Sequence, residues 1–270
     1  MQAKVIVDNI AGENLNGEWG LCVYITYGDQ KILLDTGASR LFASNAEAYG
    51  IDLADVDMGV LSHAHYDHAG GLETFFQVNK KASFYLQAGT QENCYSKKLF
   101  FHKYIGIPKG VLQQYSDRIV FVTGDYKLCE GVYLIPHKTS GLENVGKREK
   151  MYTRTGVRWV PDRFSHEQSL VFETEKGLVI FNSCSHAGAS TIIKEVRSTF
   201  PDKPVYALIG GLHLFNKSED EVREFAANIR ETGVEYICTG HCTGKHAYEV
   251  LKEELGERMN QFKVGFSMEF

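Results

Sequence analysis

Ser62-His63-Ala64-His65-Tyr66-Asp67-His68-Ala69-Gly70-Gly71-Leu72 is the segment of the chain most able to do chemistry. Three imidazoles and a carboxylate within six positions are borderline ligands of the kind that zinc, iron or manganese accept. One ion could hardly use all four. His63 and His65, two apart in an extended segment, project to one side, whereas Asp67 and His68 sit on the turn into a following helix. That division suits two ions side by side, each drawing further ligands from elsewhere. Gly70-Gly71 then supplies the close backbone approach that a tight helix entry needs.

The elements that must position such a site are legible around it. β-prone runs at 21–27 and 31–34, separated by Gly28-Asp29-Gln30, read as a hairpin. It leads into Asp35-Thr36-Gly37-Ala38 and a helix over about 40–49 that Gly50 stops. A pattern then recurs: a short apolar run, small residues, a histidine. It places His63 after Val60-Leu61-Ser62, His186 after 178–181, His213 after 205–211 and His241 after 236–240. Continuous apolar runs of this length suit strands buried on both faces. Ser218-Glu219-Asp220-Glu221 is a capping box, and Val222, Phe225, Ala226 and Ile229 follow at helical spacing. Leu72, Phe75 and Phe76, and Ala247, Leu251 and Leu255 before Gly256, form two more apolar stripes that read as core packing.

Between 87 and 165 the pattern is irregular, with strand-like islands at 119–123 and 132–135, and it reads as substrate loops or a lid. The basic stretch 147–150, with Arg154 and Arg158 beyond it, reads as a solvated loop, the alternative being a lid that grips an anion. No repeat or linker is evident, so residues 1–270 are expected to form a single domain.

The 270 residues carry 29 Lys and Arg against 34 Asp and Glu, a formal charge of −5, so no global field attracts a polyanion and no nucleic-acid partner is expected. The first residues lack a secretory pattern and no apolar run approaches the ~20 residues that span a bilayer; a cytoplasmic location and no membrane partner are expected. Six scattered cysteines argue for reduced thiols.

His63, His65, Asp67 and His68 match the HxHxDH signature, and on these residues the chain resembles the metallo-β-lactamase superfamily. The resemblance extends from Asp35-Thr36-Gly37 to Thr239-Gly240-His241. It implies an αββα sandwich with a dinuclear metal site at one edge. Within the superfamily the chain is similar to the 7,8-dihydropterin-6-yl-methyl-4-(β-D-ribofuranosyl)aminobenzene 5′-phosphate synthase-like group. The similarity lies in Ser183-Cys184-Ser185-His186-Ala187-Gly188, Ile209-Gly210-Gly211-Leu212-His213-Leu214 and Thr239-Gly240-His241-Cys242-Thr243-Gly244.

On this resemblance two divalent ions are expected, zinc first, with iron or manganese as alternatives. The expected ligands are His63, His65 and His186 for one ion and Asp67, His68 and His241 for the other. Aligned on the general superfamily pattern, a further ligand slot falls on His166 and the metal-bridging slot on Cys184. Cys184 is then either a thiolate ligand or a buried small residue, and His166 either a metal ligand or near-site residue or an ordinary surface or core histidine. His213 is placed at the cleft as a further ligand or an acid. Asp35 is expected to orient ligands by hydrogen bonds. His102, His137 and His246 have no motif around them and read as ordinary.

Two cations ~3.5–4 Å apart lower the pKa of a shared water to about 7 and polarise an ester, lactam or phosphoryl oxygen. Asp67 can accept the nucleophile's proton and His213 can protonate the leaving group. The expected activity is hydrolysis of a phosphoester, phosphodiester or related ester of a small anionic metabolite. Three rivals stand beside it. A synthase would join an aromatic amine to an activated ribose phosphate, as the group name suggests. A flavodiiron-type reductase matches poorly, because such sites carry a carboxylate where His65 stands. A non-catalytic metal- or ligand-binding module is the third. The sequence leaves the oligomeric state open.

Overall fold

In the computed structural model, which describes residues 1–270, β-branched and aromatic runs pair into three sheets and the amphipathic stripes dock on two of them. Along the chain, β1 (Gln2–Val7), β2 (Cys22–Tyr27), β3 (Gln30–Leu34), β4 (Met58–Val60) and β5 (Ser83–Gln87) come first. Next are β6 (Tyr95–Lys98), β7 (Phe101–Tyr104), β8 (Ile119–Val122), β9 (Tyr126–Cys129) and β10 (Val132–Pro136). Then follow β11 (Met151–Thr155), β12 (Arg158–Pro161), β13 (Gln168–Thr174) and β14 (Gly177–Phe181). The last are β15 (Val205–Ile209), β16 (Tyr236–Thr239), β17 (Met259–Gln261) and β18 (Ser267–Glu269). The helices are α1 (Leu41–Ala48), α2 (Tyr66–Ala69), α3 (Leu72–Val78), α4 (Val111–Gln114), α5 (Leu142–Arg148), α6 (Ala189–Thr199), α7 (Glu219–Thr232) and α8 (Lys245–Leu255).

One seven-stranded sheet has the order β18-β1-β2-β3-β4-β5-β8 and the other β17-β16-β15-β14-β13-β10-β9. They face each other across a shared apolar layer in which Val23, Ile25, Ile32, Leu34 and Val60 meet Leu134, Phe172, Phe181 and Ile209. The alternate residues of the first sheet, Leu33 and Phe84 among them, pack outward on Phe42 of α1 and Phe75 of α3. On the other outer face Ile180 and Leu208 pack on Ile193 of α6, Val222 of α7 and Leu251 of α8. The period of two along each strand thus builds the expected αββα sandwich. The capping box at Ser218 is present, with both reciprocal bonds to Glu221. No helix is long and apolar enough to cross a membrane.

Strands β3, β4 and β5 run parallel, as do β14, β15 and β16. Their carboxyl ends therefore share one edge of the sandwich, which is where open α/β sheets bind ligands. This is the physical reason the recurring histidines converge.

In the segment 87–165, β8 and β10 fall on the strand-like islands expected at 119–123 and 132–135, whereas β9 and a third sheet, β12-β11-β6-β7, stand where loops were expected. Four- and five-residue strands carrying Lys and Tyr have no continuous apolar run, so their hydrophobic period does not stand out. In that sheet Ser96 pairs with Lys103 and with Met151, which puts these residues and Lys98 on one face. On the other face His102 stacks on Trp159 at 3.9 Å, and Tyr95 meets both Tyr104 and Trp159 edge-on.

Candidate metal centre

The site is held from beneath by a buried carboxylate. Asp35, just past β3, accepts the Ser62 N–H at 2.7 Å, the Ser62 hydroxyl at 2.8 Å, the Ser183 hydroxyl at 2.6 Å and His68 Nδ1–H at 2.8 Å. A carboxylate only accepts, so His68 must carry its proton on Nδ1 and turn the Nε2 lone pair into the cleft. The Ser62 hydroxyl spends its proton on Asp35 and so accepts from His63 Nδ1–H at 2.8 Å, freeing His63 Nε2 in the same way. Asp35 thus does what the sequence reading assigns to it.

His241 is fixed from the end of β1. Its N–H donates to Asp8 Oδ1 at 2.7 Å, and Asn9 Nδ2 donates to its carbonyl at 3.0 Å. Asn9 Oδ1 is then the acceptor for His241 Nδ1–H at 3.1 Å, which leaves Nε2 unprotonated. That nitrogen faces His68 Nε2 at 3.1 Å. Two lone pairs at that separation repel unless they share an electrophile. Asp67 Oδ2 lies 3.6 Å from His241 Nε2 and 3.8 Å from His68 Nε2, itself oriented by the Trp19 indole N–H at 2.9 Å.

His63, His65 and His186 form a second group, with ring centroids 4.6 to 5.0 Å apart and one nitrogen from each within 4.8 Å of the others. His63 Nε2, His65 Nε2 and both ring nitrogens of His186 are buried without a protein partner. Leaving such groups unpaired costs about 1–3 kcal/mol each, which a cation held among them would offset. Burial drives His63 and His186 well below the ordinary imidazole range, and His65 and His241 down to about 3. All four are neutral at pH 7, the form that binds metal. Burial also lowers His68, but the charges of Asp67 and Asp35 outweigh it and the net shift is upward.

The backbone is forced to fit. Seven non-glycine residues adopt positive φ, and Asp35, Phe164, Ser185, His213 and His241 among them lie at this edge. Such conformations persist where surrounding structure over-determines them, as it does here. A Cβ on Gly70 would fall 2.1 Å from the Ala38 carbonyl oxygen, so only glycine lets α2 approach the loop after β3.

All six expected ligands therefore meet in two adjoining groups. His213 lies at the rim, its ring 4.5 Å from that of His186 and its Nδ1 without a partner. His166 sits behind His65 with both nitrogens engaged. Its Nδ1 accepts the Ala64 N–H at 3.2 Å, so Nε2 carries the proton and faces Asp162 Oδ2 at 3.2 Å and Cys94 Sγ at 3.6 Å. It braces the site and offers no free lone pair. His102 belongs to the aromatic stack and His246 is exposed. His137 lies between Glu167 and Glu195, and Glu167 in turn accepts the His186 N–H at 3.1 Å. Burial lowers His137, yet the two carboxylates push it up to about 9.

A cleft of about 210 Å³ opens above the groups, with His65, Asp67, Cys184 and His213 in its floor and Trp19, Tyr66 and Phe215 along one wall. Lys98 and Lys103 of the third sheet, both exposed, line the same cleft. The basic side chains of 147–150, with Arg154 and Arg158, are exposed as expected of a solvated stretch, though Lys147 and Arg148 end α5 rather than lying in a loop. Glu149 of the same stretch turns inward, bonded to Lys217 at 2.6 Å and 3.9 Å from His213 Nε2. Sequence reading missed Asp8, Asn9, Ser62, Ser183, Lys98 and Lys103. Asp8 and Asn9 also close a strand with polar residues, but nothing local ties them to His241.

Residues 18–241 match the family model described as the metallo-beta-lactamase superfamily. A relative from Methanocaldococcus jannaschii, named 7,8-dihydropterin-6-methyl-4-(beta-D-ribofuranosyl)-aminobenzene-5′-phosphate synthase, is 27% identical over 250 residues, covering 89% of this chain and 85% of its own. The solved structure of Tm1679, described as a metal-dependent hydrolase of the beta-lactamase superfamily, superposes with a TM-score of 0.85 at 28% identity over 100% of this chain and 99% of that one. A diphosphatase from the PhnP family, at 13% identity and a TM-score of 0.56 over 100% of this chain and 97% of its own, shares the fold.

Proposed function

Because the chain belongs to the metallo-β-lactamase superfamily, we propose that this cleft is the active site of a hydrolase using two divalent metal ions. Zinc is the first choice, iron or manganese the next. The substrate is a phosphoester, phosphodiester or related ester of a small anionic metabolite. The observation that carries the reading is the set of buried ring nitrogens without a protein partner, His63 Nε2, His65 Nε2 and both of His186, beside the 3.1 Å approach of His68 Nε2 to His241 Nε2. His63, His65 and His186 would hold one ion and Asp67, His68 and His241 the other. Two ions bound there would acidify a water to a pKa of about 7 and polarise the group it attacks.

The chain's own residues supply the rest. Trp19 orients Asp67, which is the acceptor for the nucleophile's proton. His213 is the acid for the leaving group: burial lowers it, but Cys242 and Glu149 outweigh that and raise it, so it retains a proton nearer neutrality. Lys98 and Lys103, exposed and lining the cleft, take the anionic part of the substrate.

One observation favours a second reading, a transferase: the Methanocaldococcus jannaschii relative is named a synthase. An assay panel of phosphodiesters, phosphomonoesters, lactones and thioesters separates the two. Hydrolysis of a phosphoester, abolished in the His65→Ala, Asp67→Ala pair, is expected. Activity unchanged in that pair would sink the hydrolase reading, and an inert panel with two metals bound would favour the transferase.

A further inference from the structure

All six cysteines are free, and two of them lie in the cleft floor. A cysteine retained only for packing sets its sulfur against carbon. Cys184, three residues past the end of β14, instead sets its sulfur among nitrogens and a second sulfur. Its Sγ is 3.3 Å from His68 Nε2 and 3.5 Å from Cys242 Sγ. It also groups within 4.8 Å with ligand atoms of His63 and His68, of His186 and His213, and of His241 and Cys242. It thereby joins members of both histidine groups.

The separations fit coordination. Ligands at ~2.0–2.1 Å for nitrogen and ~2.3 Å for sulfur around a tetrahedral ion stand roughly 3.3–3.6 Å apart. The 3.1 Å between His68 and His241 and the 3.3 Å between His68 and Cys184 lie close to that spacing. Cys242 has a different setting: its sulfur accepts the His213 backbone N–H at 3.2 Å and lies 3.5 Å from Cys184 Sγ and 3.8 Å from the Cys184 carbonyl oxygen.

We propose that the Cys184 thiolate is a ligand shared by both metal ions, standing between the His63/His65/His186 group and the Asp67/His68/His241 group, with Cys242 beside it and outside the coordination. The inference rests on the dinuclear reading above. On metal binding the Cys184 S–H bond breaks, its electron pair goes to the ions and its proton is released to solvent. A thiolate at the shared position favours zinc or iron(II) over manganese, because soft sulfur suits the former.

The test is a cobalt(II) titration of the metal-free protein, followed by near-ultraviolet sulfur-to-cobalt charge-transfer absorption, with cobalt counted in the same samples. The band should grow through both the first and the second equivalent, vanish in Cys184→Ser and persist in Cys242→Ser. A band that persists in folded Cys184→Ser, stops growing at one equivalent while a second ion binds, or is absent with two cobalt ions bound overturns the proposal. Cobalt binding that itself ends at one per chain overturns the dinuclear reading, and the count rather than the band reports it. Should Cys184→Ser fail to fold, X-ray absorption of the zinc-loaded wild type decides. A sulfur shell near ~2.3 Å supports the ligand and its absence removes it.

Discussion

The floor of the cleft and the sheet above it are built on opposite terms. In the floor the six candidate ligands are buried, the tautomers of His63, His68 and His241 are set by Ser62, Asp35 and Asn9, and Asp35, Ser185, His213 and His241 take positive φ. The β12-β11-β6-β7 sheet has exposed lysines and aromatic faces, and its β6–β7 tip leaves Leu99 89% and Phe100 96% exposed. Chemistry that must be exact to a few tenths of an ångström is placed where many bonds over-determine it. On the proposed function, substrate contacts fall on a hairpin whose exposed side chains can change without disturbing the fold.

Mutations in the two regions should therefore fail differently. Asp35→Ala removes the acceptor for four hydrogen bonds, so metal affinity should fall ~10–100-fold by metal titration. The melting temperature of the metal-free protein should fall as well. His137→Gln strands Glu167 and Glu195 in the interior and should cost ~3–5 kcal/mol in denaturant unfolding. Because His137 is raised to about 9 when folded, against an ordinary value near 6.5, its contribution is complete below about pH 6.5 and is lost as pH rises through 9. The metal-free wild type should lose stability over that window and the variant should not.

In the upper sheet the expectations turn to substrate. Lys98→Ala and Lys103→Ala should each raise KM by roughly ten- to a hundredfold, the equivalent of ~1.5–3 kcal/mol for a charge-assisted bond, with kcat little changed. The effect should shrink in high salt. A fall in kcat at constant KM would break the division of labour. The smallest effect is at the tip: Leu99→Ser with Phe100→Ser should move stability by no more than ~0.5 kcal/mol per site.

How much of this was legible in the sequence follows the same divide. The floor could be read because strand-end histidines and HxHxDH sit in contiguous segments, and the αββα layers were implied by the family resemblance those residues carry, with which the strand-ending pattern agrees. Asp8 and Asn9 were harder, since they reach His241 from 232 or more positions away. The third sheet was invisible because Ser96, Lys98 and Lys103 alternate with Tyr95, Lys97 and His102, so neither face of β6 or β7 is apolar. His166 could not be settled from spacing, as its role depends on one N–H from Ala64.

The central claim is that His68 and His241 meet over a shared metal ion. Metal analysis of protein purified without added metal, set beside the His241→Ala variant, tests it most directly. Two ions per chain falling to one in the variant is the predicted result. Fewer than one ion per chain in the wild type, or a count unchanged by the substitution, would contradict it.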